Sequence, residues 1–465
     1  MNKIALFLSL ALSSLTWAGH QSPNSAFPLE SMKGKIDFKH VVYISKLSDK
    51  TSFDWIEVPE NFDDPQGKKI KIFYERINRS TKNSSIPIAF FYGGPGISPQ
   101  TQIPPLLKPT KNNDLIIIHQ RGTGLSTPLP KIDTKQNILR YRHYLSRAIV
   151  KDAEQVRKQL FGDVKWIITG QSFGSLIVQR YITLFPKSIH SAHAHGYAAT
   201  SLPTPFAESR IIQHGENVKN YLKKYPKDLK KIKLISQYLE KNSISPIDKP
   251  EIKVQGKQAL SFVSFIFMAM PNLWPQFSQV LDQVCPKGRV NAVNLNSFLQ
   301  YMYFNPDLLF LGGKQDVLNL VFNRLEAYVT DGLSLSEYYQ NIFAKLKQQG
   351  INIDSWLIGE EAVMHFSVTS PYRKMADEMD LGKSDPLLPS LIIKQLQAHP
   401  ELNFYLYAGK LDSVAPAQFF EPLVKKSQGR IKLILLEGGH ESFMHPKFWQ
   451  TVREEAKTPK LKKAI

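Results

Sequence analysis

Three residues of the chain have the side chains that acyl transfer needs. Ser172 lies in GQSFGS, Asp412 in YAGKLDSVAP and His440 in LLEGGHESF. A serine hydroxyl is a weak nucleophile, so it needs a histidine to take its proton and a carboxylate to orient that histidine. The chain order Ser, Asp, His is typical of proteins whose serine occupies a G-x-S-x-G turn between a strand and a helix. We therefore predict a triad with Ser172 as nucleophile, His440 as general base and acid, and Asp412 as its orienting acid.

Each of these residues alone also has an ordinary structural explanation. Ser172 fits a small residue in a tight turn, Asp412 a helix cap or turn residue, and His440 an exposed loop histidine. Their joint placement favours the triad, because each follows an apolar run that reads as a strand. Catalytic groups of open α/β sheets gather at the carboxyl ends of the strands.

The tetrahedral intermediate of acyl transfer has a negative oxygen that needs hydrogen-bond donors. One expected donor is the backbone N–H of Phe173, which directly follows the nucleophile. The other is expected from FFYGGPG at 90–96, where glycines let the backbone approach a substrate, and the N–H of Gly94 is the candidate. The alternative for this segment is a Gly/Pro turn that binds no ligand.

Short apolar runs predict the strands that would position these residues. A period of two in KIKIFYERI predicts a strand at 69–77, and continuous apolar runs are typical of strands buried on both faces. Such runs lie at 86–92, 114–119, 164–169, 189–196, 402–409 and 431–439. Helical spacing at 136–160 and 175–185 separates some of them. This alternation predicts an α/β fold with a mostly parallel central sheet.

The strand pattern stops near residue 200 and returns only after residue 351. The stretch between is Lys-rich and helical in spacing, with an aromatic and Met-rich segment at 262–274 that fits either a pocket lining or simple packing. A core interrupted by a large, mainly helical cap insertion is the simplest organisation. We expect an α/β core at 19–199 and 352–465 and a cap at 200–351.

The first residues of the chain have the composition of a secretory signal. Lys3 precedes an apolar run at 4–15, and Thr16-Trp17-Ala18 forms an acceptable cleavage site. This predicts a signal peptide at 1–18 and a periplasmic or secreted bacterial protein, with an uncleaved anchor as the alternative. Cys285 is the single cysteine, which excludes an internal disulfide and fits bacterial export.

The chain has a net charge of +19, spread over scattered basic residues without a nucleic-acid-binding motif. We expect no nucleic-acid partner and no stable membrane insertion, and weak attraction to an anionic envelope surface stays open. His193 and His195 share one face of a predicted strand, but no HExxH pattern accompanies them. We interpret them as core or rim histidines and expect no metal and no cofactor.

Five motifs together resemble the proline iminopeptidase and tripeptidyl aminopeptidase branch of the α/β-hydrolases. They are YGGPG at 92–96, HQRGTGLSTP at 119–128, GQSFGS at 170–175, the Asp412 loop and GGH at 438–440. The resemblance implies an α/β-hydrolase fold with a helical cap. It gives Ser172, Asp412 and His440 the triad roles and makes Gly94 and Phe173 the oxyanion donors.

The resemblance also implies that the Gln120-Arg121-Gly122 turn braces the active-site loops without reacting. Two positions depart from the pattern of the family. Tyr92 stands where histidine or glutamine is usual, and His119 replaces the aspartate of the DQRG motif. Neither is a triad position, so the departures concern the substrate pocket and not the chemistry.

Aminopeptidases of this branch hold the α-ammonium group of the substrate with carboxylates, because a desolvated cation needs an opposite charge. The candidate residues are Glu208, Glu216, Glu337, Glu360 and Glu361. We favour Glu360 and Glu361, since they follow a strand-like run where the chain re-enters the core. The alternative for each one is a surface glutamate on a helix.

These observations predict an exported serine hydrolase that acts as an aminopeptidase on short peptides. Two alternatives remain open. A carboxylesterase or lipase-type hydrolase would use the same triad on an ester substrate. A non-catalytic envelope binding protein would keep the scaffold without the reaction.

Overall fold

The centre of the chain is an eight-stranded sheet. The computed structural model describes residues 52–77, 86–97, 113–197, 203–245, 254–303, 314–327, 333, 335–350 and 378–457. The strands of the sheet are β1 Ser52–Pro59, β2 Lys69–Ile77, β3 Ile88–Phe91, β4 Leu115–Ile118, β5 Trp166–Gln171, β6 Ile189–His195, β9 Asn403–Gly409 and β10 Ile431–Leu436. Their order across the sheet is β1-β2-β4-β3-β5-β6-β9-β10.

Six neighbouring strands of this sheet, from β4 to β10, run parallel. Strand β2 is antiparallel to β4, and β1 is antiparallel to β2. Every residue of β3, β4 and β5 is buried, which is why these strands appear in the sequence as continuous apolar runs. The predicted α/β fold with a mostly parallel sheet is confirmed. Strand β1 was not predicted, because its mostly exposed and half-buried residues give no clear period.

Helices cover the sheet and form the insertion between β6 and β9. In the described part of the chain they are α1 Lys135–Leu139, α2 Ser146–Phe161, α3 Phe173–Leu184, α4 Pro203–Lys224, α5 Asp228–Glu240, α6 Gly256–Ala269, α7 Trp274–Val284, α8 Ala292–Tyr303, α9 Lys314–Phe322, α10 Leu335–Gln348, α11 Pro389–Ala398, α12 Glu421–Lys426 and α13 Pro446–Glu455. Helix α3 packs directly on β5 and β6.

The helix predicted at 136–160 is wrong as one continuous element. Helix α1 ends at Leu139, a 3₁₀ segment follows at Arg140–Tyr144, and α2 begins at Ser146 after an extended Leu145. Two buried tyrosines explain the break. The Tyr141 hydroxyl donates to the Pro130 carbonyl and the Tyr144 hydroxyl to the Glu60 carboxylate, and both contacts hold the 3₁₀ segment against the core.

The described residues between 203 and 350 form helices α4 to α10 and one short hairpin, β7 Ser243–Ile244 with β8 Val254–Gln255. Helices α4 to α8 share an apolar core of their own that includes Tyr221, Phe267 and Phe277. Helices α9 and α10 pack into the main core instead. The predicted helical character of the insertion is therefore confirmed, while its boundaries at 200 and 351 remain a prediction.

The segment predicted as a signal peptide, 1–18, lies outside the described residues. The apolar stretch within 262–274 contributes to helix α6 and the start of α7. Across the ranges that the structure describes, no helix combines the length and the apolar character that a membrane span requires.

Candidate functional site

Ser172 occupies a sharp turn between β5 and α3. Its φ of 55° and ψ of −121° lie outside the common regions for a non-glycine residue, as expected for a strained strand-to-helix turn. The two flanking glycines are required by backbone contact. A Cβ at Gly170 would lie 2.2 Å from the Gly174 carbonyl oxygen, and one at Gly174 would lie 2.0 Å from the Phe91 oxygen. The turn therefore presents the Ser172 side chain, which is partly exposed, at the carboxyl end of the sheet.

Asp412 and His440 form a hydrogen-bonded pair at the ends of β9 and β10. The Nδ1 atom of His440 lies 2.9 Å from Oδ2 of Asp412, and the aspartate is fully buried. The other carboxylate oxygen accepts the backbone N–H groups of Val414 and Ala415, each at 2.8 Å. With its carboxylate fixed in this way, Asp412 selects the tautomer of His440 that has a proton on Nδ1 and leaves Nε2 to accept another.

Gly196 links the serine turn to this pair. The N–H of Ser172 donates to the His195 carbonyl at 2.8 Å, and Gly196 is the next residue along the chain. A Cβ at Gly196 would lie 3.0 Å from Cε1 of His440, and its φ is 74°. The absence of a side chain at Gly196 therefore lets the imidazole lie directly beside the end of β6, next to the strand from which Ser172 projects.

The two predicted oxyanion donors belong to segments that flank Ser172. Phe173 is the first residue of α3, so its N–H is one of the four that have no acceptor within the helix. On the other side, a Cβ at Gly93 would lie 3.3 Å from Cβ of Ser172, and Gly94 is the next residue. The Gln120 side chain supports this segment by donating to the Tyr92 carbonyl at 3.1 Å. The arrangement resembles an oxyanion hole at a helix N-terminus.

The Gln120-Arg121-Gly122 turn has the contacts of a brace. Arg121 is buried and binds both oxygens of Asp152, at 2.8 and 2.7 Å. Its guanidinium also donates to the backbone carbonyls of Glu60 and His143. One side chain thus connects the turn to the end of β1, to the 3₁₀ segment and to α2.

The two departures from the family pattern lie in the core. Tyr92 is fully buried with its ring against Phe90, and burial raises its pKa well above the usual value. The Nδ1 atom of His119 accepts the Leu125 N–H at 3.0 Å, so its Nε2 is the donor toward Glu75, 3.3 Å away. His119 therefore acts as a neutral donor between β4 and β2, a structural role at this position.

His193 and His195 are both buried in β6, and burial lowers the pKa of each to about 3. His193 lies 2.9 Å from the Tyr407 hydroxyl and 3.1 Å from that of Ser191. His195 lies 2.7 Å from the Ser442 hydroxyl. Within the described ranges, no group of three or more His, Cys, Asp or Glu residues could hold a metal ion.

The carboxylates considered for amine binding lie in different surroundings. Glu208 forms an ion pair with Lys345 at 2.6 Å, and Glu216 forms one with Lys219 at 2.6 Å. The side chain of Glu216 is half exposed, and Glu337 is exposed. Glu360 and Glu361 lie outside the described residues, so their role in substrate binding remains a prediction.

Sequence reasoning missed the contacts that the cap makes with the catalytic loops. The N–H of His440 donates to the carbonyl of Ala269, the last residue of α6, at 2.8 Å. The Asn217 side chain of α4 donates to Met268 and Leu411 carbonyls, and the Phe322 ring of α9 lies 5.0 Å from that of Phe173. The first two contacts use backbone carbonyls, which no side-chain pattern reveals.

The comparison with protein families identifies the class to which this geometry belongs. The sequence model of the α/β-hydrolase fold matches residues 86–234, which include the Ser172 turn. Asp412 and His440 follow the matched range, and the sheet brings them beside it. The chain has the α/β-hydrolase fold.

Two curated relatives are similar to part of the chain. Proline iminopeptidase aneH of Aspergillus aculeatus is 26% identical over 235 residues, which are 43% of this chain and 51% of that protein. The proline iminopeptidase of Aeromonas sobria is 32% identical over 120 residues, 24% of this chain and 28% of that protein. The chain thus spans about half or less of the length of the curated relatives that it matches. It is a distant homologue of proline iminopeptidases.

Matches among solved structures include the proline iminopeptidase of Mycobacterium smegmatis. That comparison has a TM-score of 0.38 at 13% identity, and it covers 86% of this chain and 97% of the other. A thermophilic esterase from Thermogutta terrifontis has a TM-score of 0.38 at 10% identity over 86% and 97% of the two chains.

Proposed function

We propose that the protein is a serine hydrolase that removes N-terminal residues from short peptides. The observation that carries the proposal is the pairing of His440 with Asp412 beside the end of β6, to which the Ser172 turn is hydrogen-bonded. Distant homology to proline iminopeptidases supports the peptide substrate.

In the proposed reaction, the Ser172 oxygen forms a bond with the scissile carbonyl carbon while Nε2 of His440 takes its proton. The Asp412 carboxylate stabilises the resulting imidazolium. The oxyanion accepts hydrogen bonds from the N–H groups of Gly94 and Phe173. His440 then donates the proton to the leaving amine as the C–N bond breaks. Water next attacks the acyl carbon while His440 takes a proton from it, and His440 returns this proton to the Ser172 oxygen as the ester bond breaks.

A carboxylesterase with the same triad is the second candidate. The surroundings of the cap glutamates that the structure describes favour it. Glu208 and Glu216 are paired with lysines, and Glu337 is exposed to solvent. An aminopeptidase needs a carboxylate for the substrate amine, and Glu360 and Glu361 are the remaining candidates for that role.

Turnover of proline and alanine arylamides, their N-acetylated forms and short-chain aryl esters tests the choice between the two. We expect the free arylamides to be cleaved and the N-acetylated ones to be resistant. Ester cleavage without arylamide cleavage would refute the peptidase and leave the esterase.

The variant Ser172→Ala tests the mechanism common to both candidates. We expect a loss of kcat of about 10⁴-fold or more and no labelling by a fluorophosphonate, because the attacking oxygen is gone. Asn220→Leu, on an exposed face of α4, is the matched control and should label normally. Full activity of Ser172→Ala on every substrate would refute the mechanism.

We also propose export by way of the signal-like segment 1–18. N-terminal sequencing of the protein purified from a bacterial periplasm should begin after Ala18. Retention of the complete N-terminus in the cytoplasm would refute export.

A further inference from the structure

The carboxyl end of cap helix α6 lies in backbone contact with the loop that contains His440. The last residue of the helix, Ala269, accepts the N–H of His440 at 2.8 Å. Gly439 packs so closely on the same carbonyl that a Cβ there would lie 2.0 Å from its oxygen. The position of the histidine loop is therefore set partly by a cap helix.

Asn217 connects the same helix end to the aspartate loop. It lies in α4 and is fully buried. Its Nδ2 donates to the carbonyl of Met268 at 2.8 Å and to that of Leu411 at 2.7 Å. Since both partners are carbonyl oxygens, only the NH₂ group of the amide can face them. Its oxygen in turn accepts a hydrogen bond from Gln213 at 3.0 Å.

Both partners of Asn217 are neighbours in sequence of residues at the candidate site. Met268 directly precedes Ala269, which binds the His440 backbone, and Leu411 directly precedes Asp412. One amide thus holds the loop of the acid to the helix end that holds the loop of the base. The two loops also contact each other directly, since the N–H of Leu411 donates to the Gly438 carbonyl at 2.9 Å, and Asn217 adds a second connection through the cap.

We propose that Asn217 is a positioning residue that aligns the Asp412–His440 pair from the cap. This inference rests on the proposed serine hydrolase function. It makes the cap part of the catalytic apparatus, so that a change at Asn217 slows the hydrolysis of every substrate, including esters too small to need a cap for binding.

The test compares Asn217→Leu and Asn217→Asp with wild type on a short aryl ester and on a proline arylamide. Leucine removes both donors, whereas aspartate preserves the shape of the side chain and has at most one donor, in its protonated form. Active-site titration gives kcat per reactive serine, which removes the effect of misfolded protein. We expect kcat to fall about tenfold on every substrate that wild type cleaves, as for the loss of about 1.4 kcal/mol of alignment, with little change in KM.

The pH profile separates alignment from a merely structural role. Poorer alignment of Asp412 with His440 should move the acid limb of kcat to lower pH in Asn217→Leu, which adds no charge, whereas fewer folded molecules would leave the limb in place. Asn217→Gln, which keeps the donors, should recover part of the rate, and Asn220→Leu on an exposed part of α4 should match wild type.

Two outcomes would overturn the inference. One is an unchanged kcat per reactive serine in Asn217→Leu and Asn217→Asp. The other is a loss confined to KM for the arylamide, which would make Asn217 a substrate-binding residue. Both differ from failure of the proposed function, in which wild type itself neither labels nor turns over any substrate.

Discussion

The sheet side and the cap side of the candidate site use different parts of the polypeptide. On the sheet side, side chains carry the contacts: Asp412 binds His440, and Arg121 binds Asp152. On the cap side, the contacts with the Asp412 and His440 loops end on backbone carbonyls, those of Leu411 and Ala269. The sheet thus supplies the paired side chains of the candidate site, and the cap adds contacts to the loops that contain them.

This difference determines how each side should respond to substitution. A side chain of the sheet can be removed, and the reaction or the fold then loses a defined contact. A carbonyl cannot be removed by substitution, so the cap must be tested through the side chains that bind it or pack beside it. We order the tests by the size of the expected effect.

Asp412→Asn should have the largest effect. The N–H groups of Val414 and Ala415 point at Oδ1, so the new amide would turn its oxygen toward them and its NH₂ toward His440. The histidine would then have its proton on Nε2 and could not accept that of Ser172. We expect kcat to fall about 10⁴-fold, or about 5.5 kcal/mol of activation free energy. Asp385→Asn is the control, and a loss under tenfold in Asp412→Asn would contradict the triad.

Arg121→Met tests the buried ion pair with Asp152, which braces the sheet side of the site. The substitution leaves the buried Asp152 without its bidentate partner, and breaking a buried pair of this kind costs about 3–5 kcal/mol. We expect the free energy of unfolding in urea to fall by that amount. Arg147→Met removes a pair that is half exposed and should cost less than about 1 kcal/mol. Equal losses in both variants would show that Arg121 is not a brace.

Phe322→Ala tests the packing of the cap. Its ring lies 5.0 Å from that of Phe173 and is buried, so truncation should cost about 3 kcal/mol of unfolding free energy. We expect kcat to fall less than tenfold, because helix α3 holds the Phe173 N–H independently of its ring. Val293→Ala, at an exposed position of the cap, should change neither quantity. If the rise in activation free energy exceeded the loss of unfolding free energy, Phe322 would take part in the reaction.

The buried histidines have no such effect at neutral pH, because they make stability depend on pH only in the acid range. Burial lowers the pKa of His193 in the sheet to about 3 and that of His214 in the cap to about 4. In the unfolded chain each histidine binds a proton near pH 6.5. Its contribution to the free energy of unfolding is therefore fully present above that pH and is lost as the pH falls toward its native pKa. Each histidine should contribute about 1.4 kcal/mol per pH unit in that window.

His193→Gln and His214→Gln test this separately on the two sides. Each should make the acid loss of unfolding free energy shallower, and the effect of His214→Gln should end about one pH unit earlier. An unchanged slope in either variant would mean that the histidine is protonated in the native state.

The sheet could be predicted because burial on both faces leaves continuous apolar runs, as at 114–119 and 164–169. The same rule explains why β1 was missed, because most of its residues are exposed or half-buried and leave no apolar run. The positions of Ser172, Asp412 and His440 followed from the rule that parallel strands present catalytic groups at their carboxyl ends. The bond between Ala269 and His440 could not be predicted, because a backbone carbonyl leaves no trace in residue type.

The glycines around Ser172 have a consequence for the origin of new activities. Gly170 and Gly174 are fixed by contacts of 2.2 and 2.0 Å with neighbouring backbone, whereas the Ser172 side chain projects from the turn. The chain can therefore exchange the side chain at position 172, for example for a thiol or a carboxylate, without rebuilding the turn that presents it. Mutational scanning should find the two glycines intolerant of any side chain for folding, while Ser172 tolerates small substitutions for folding and loses only turnover. Changes of the side chain at position 172 can therefore occur without changes in the backbone of the turn.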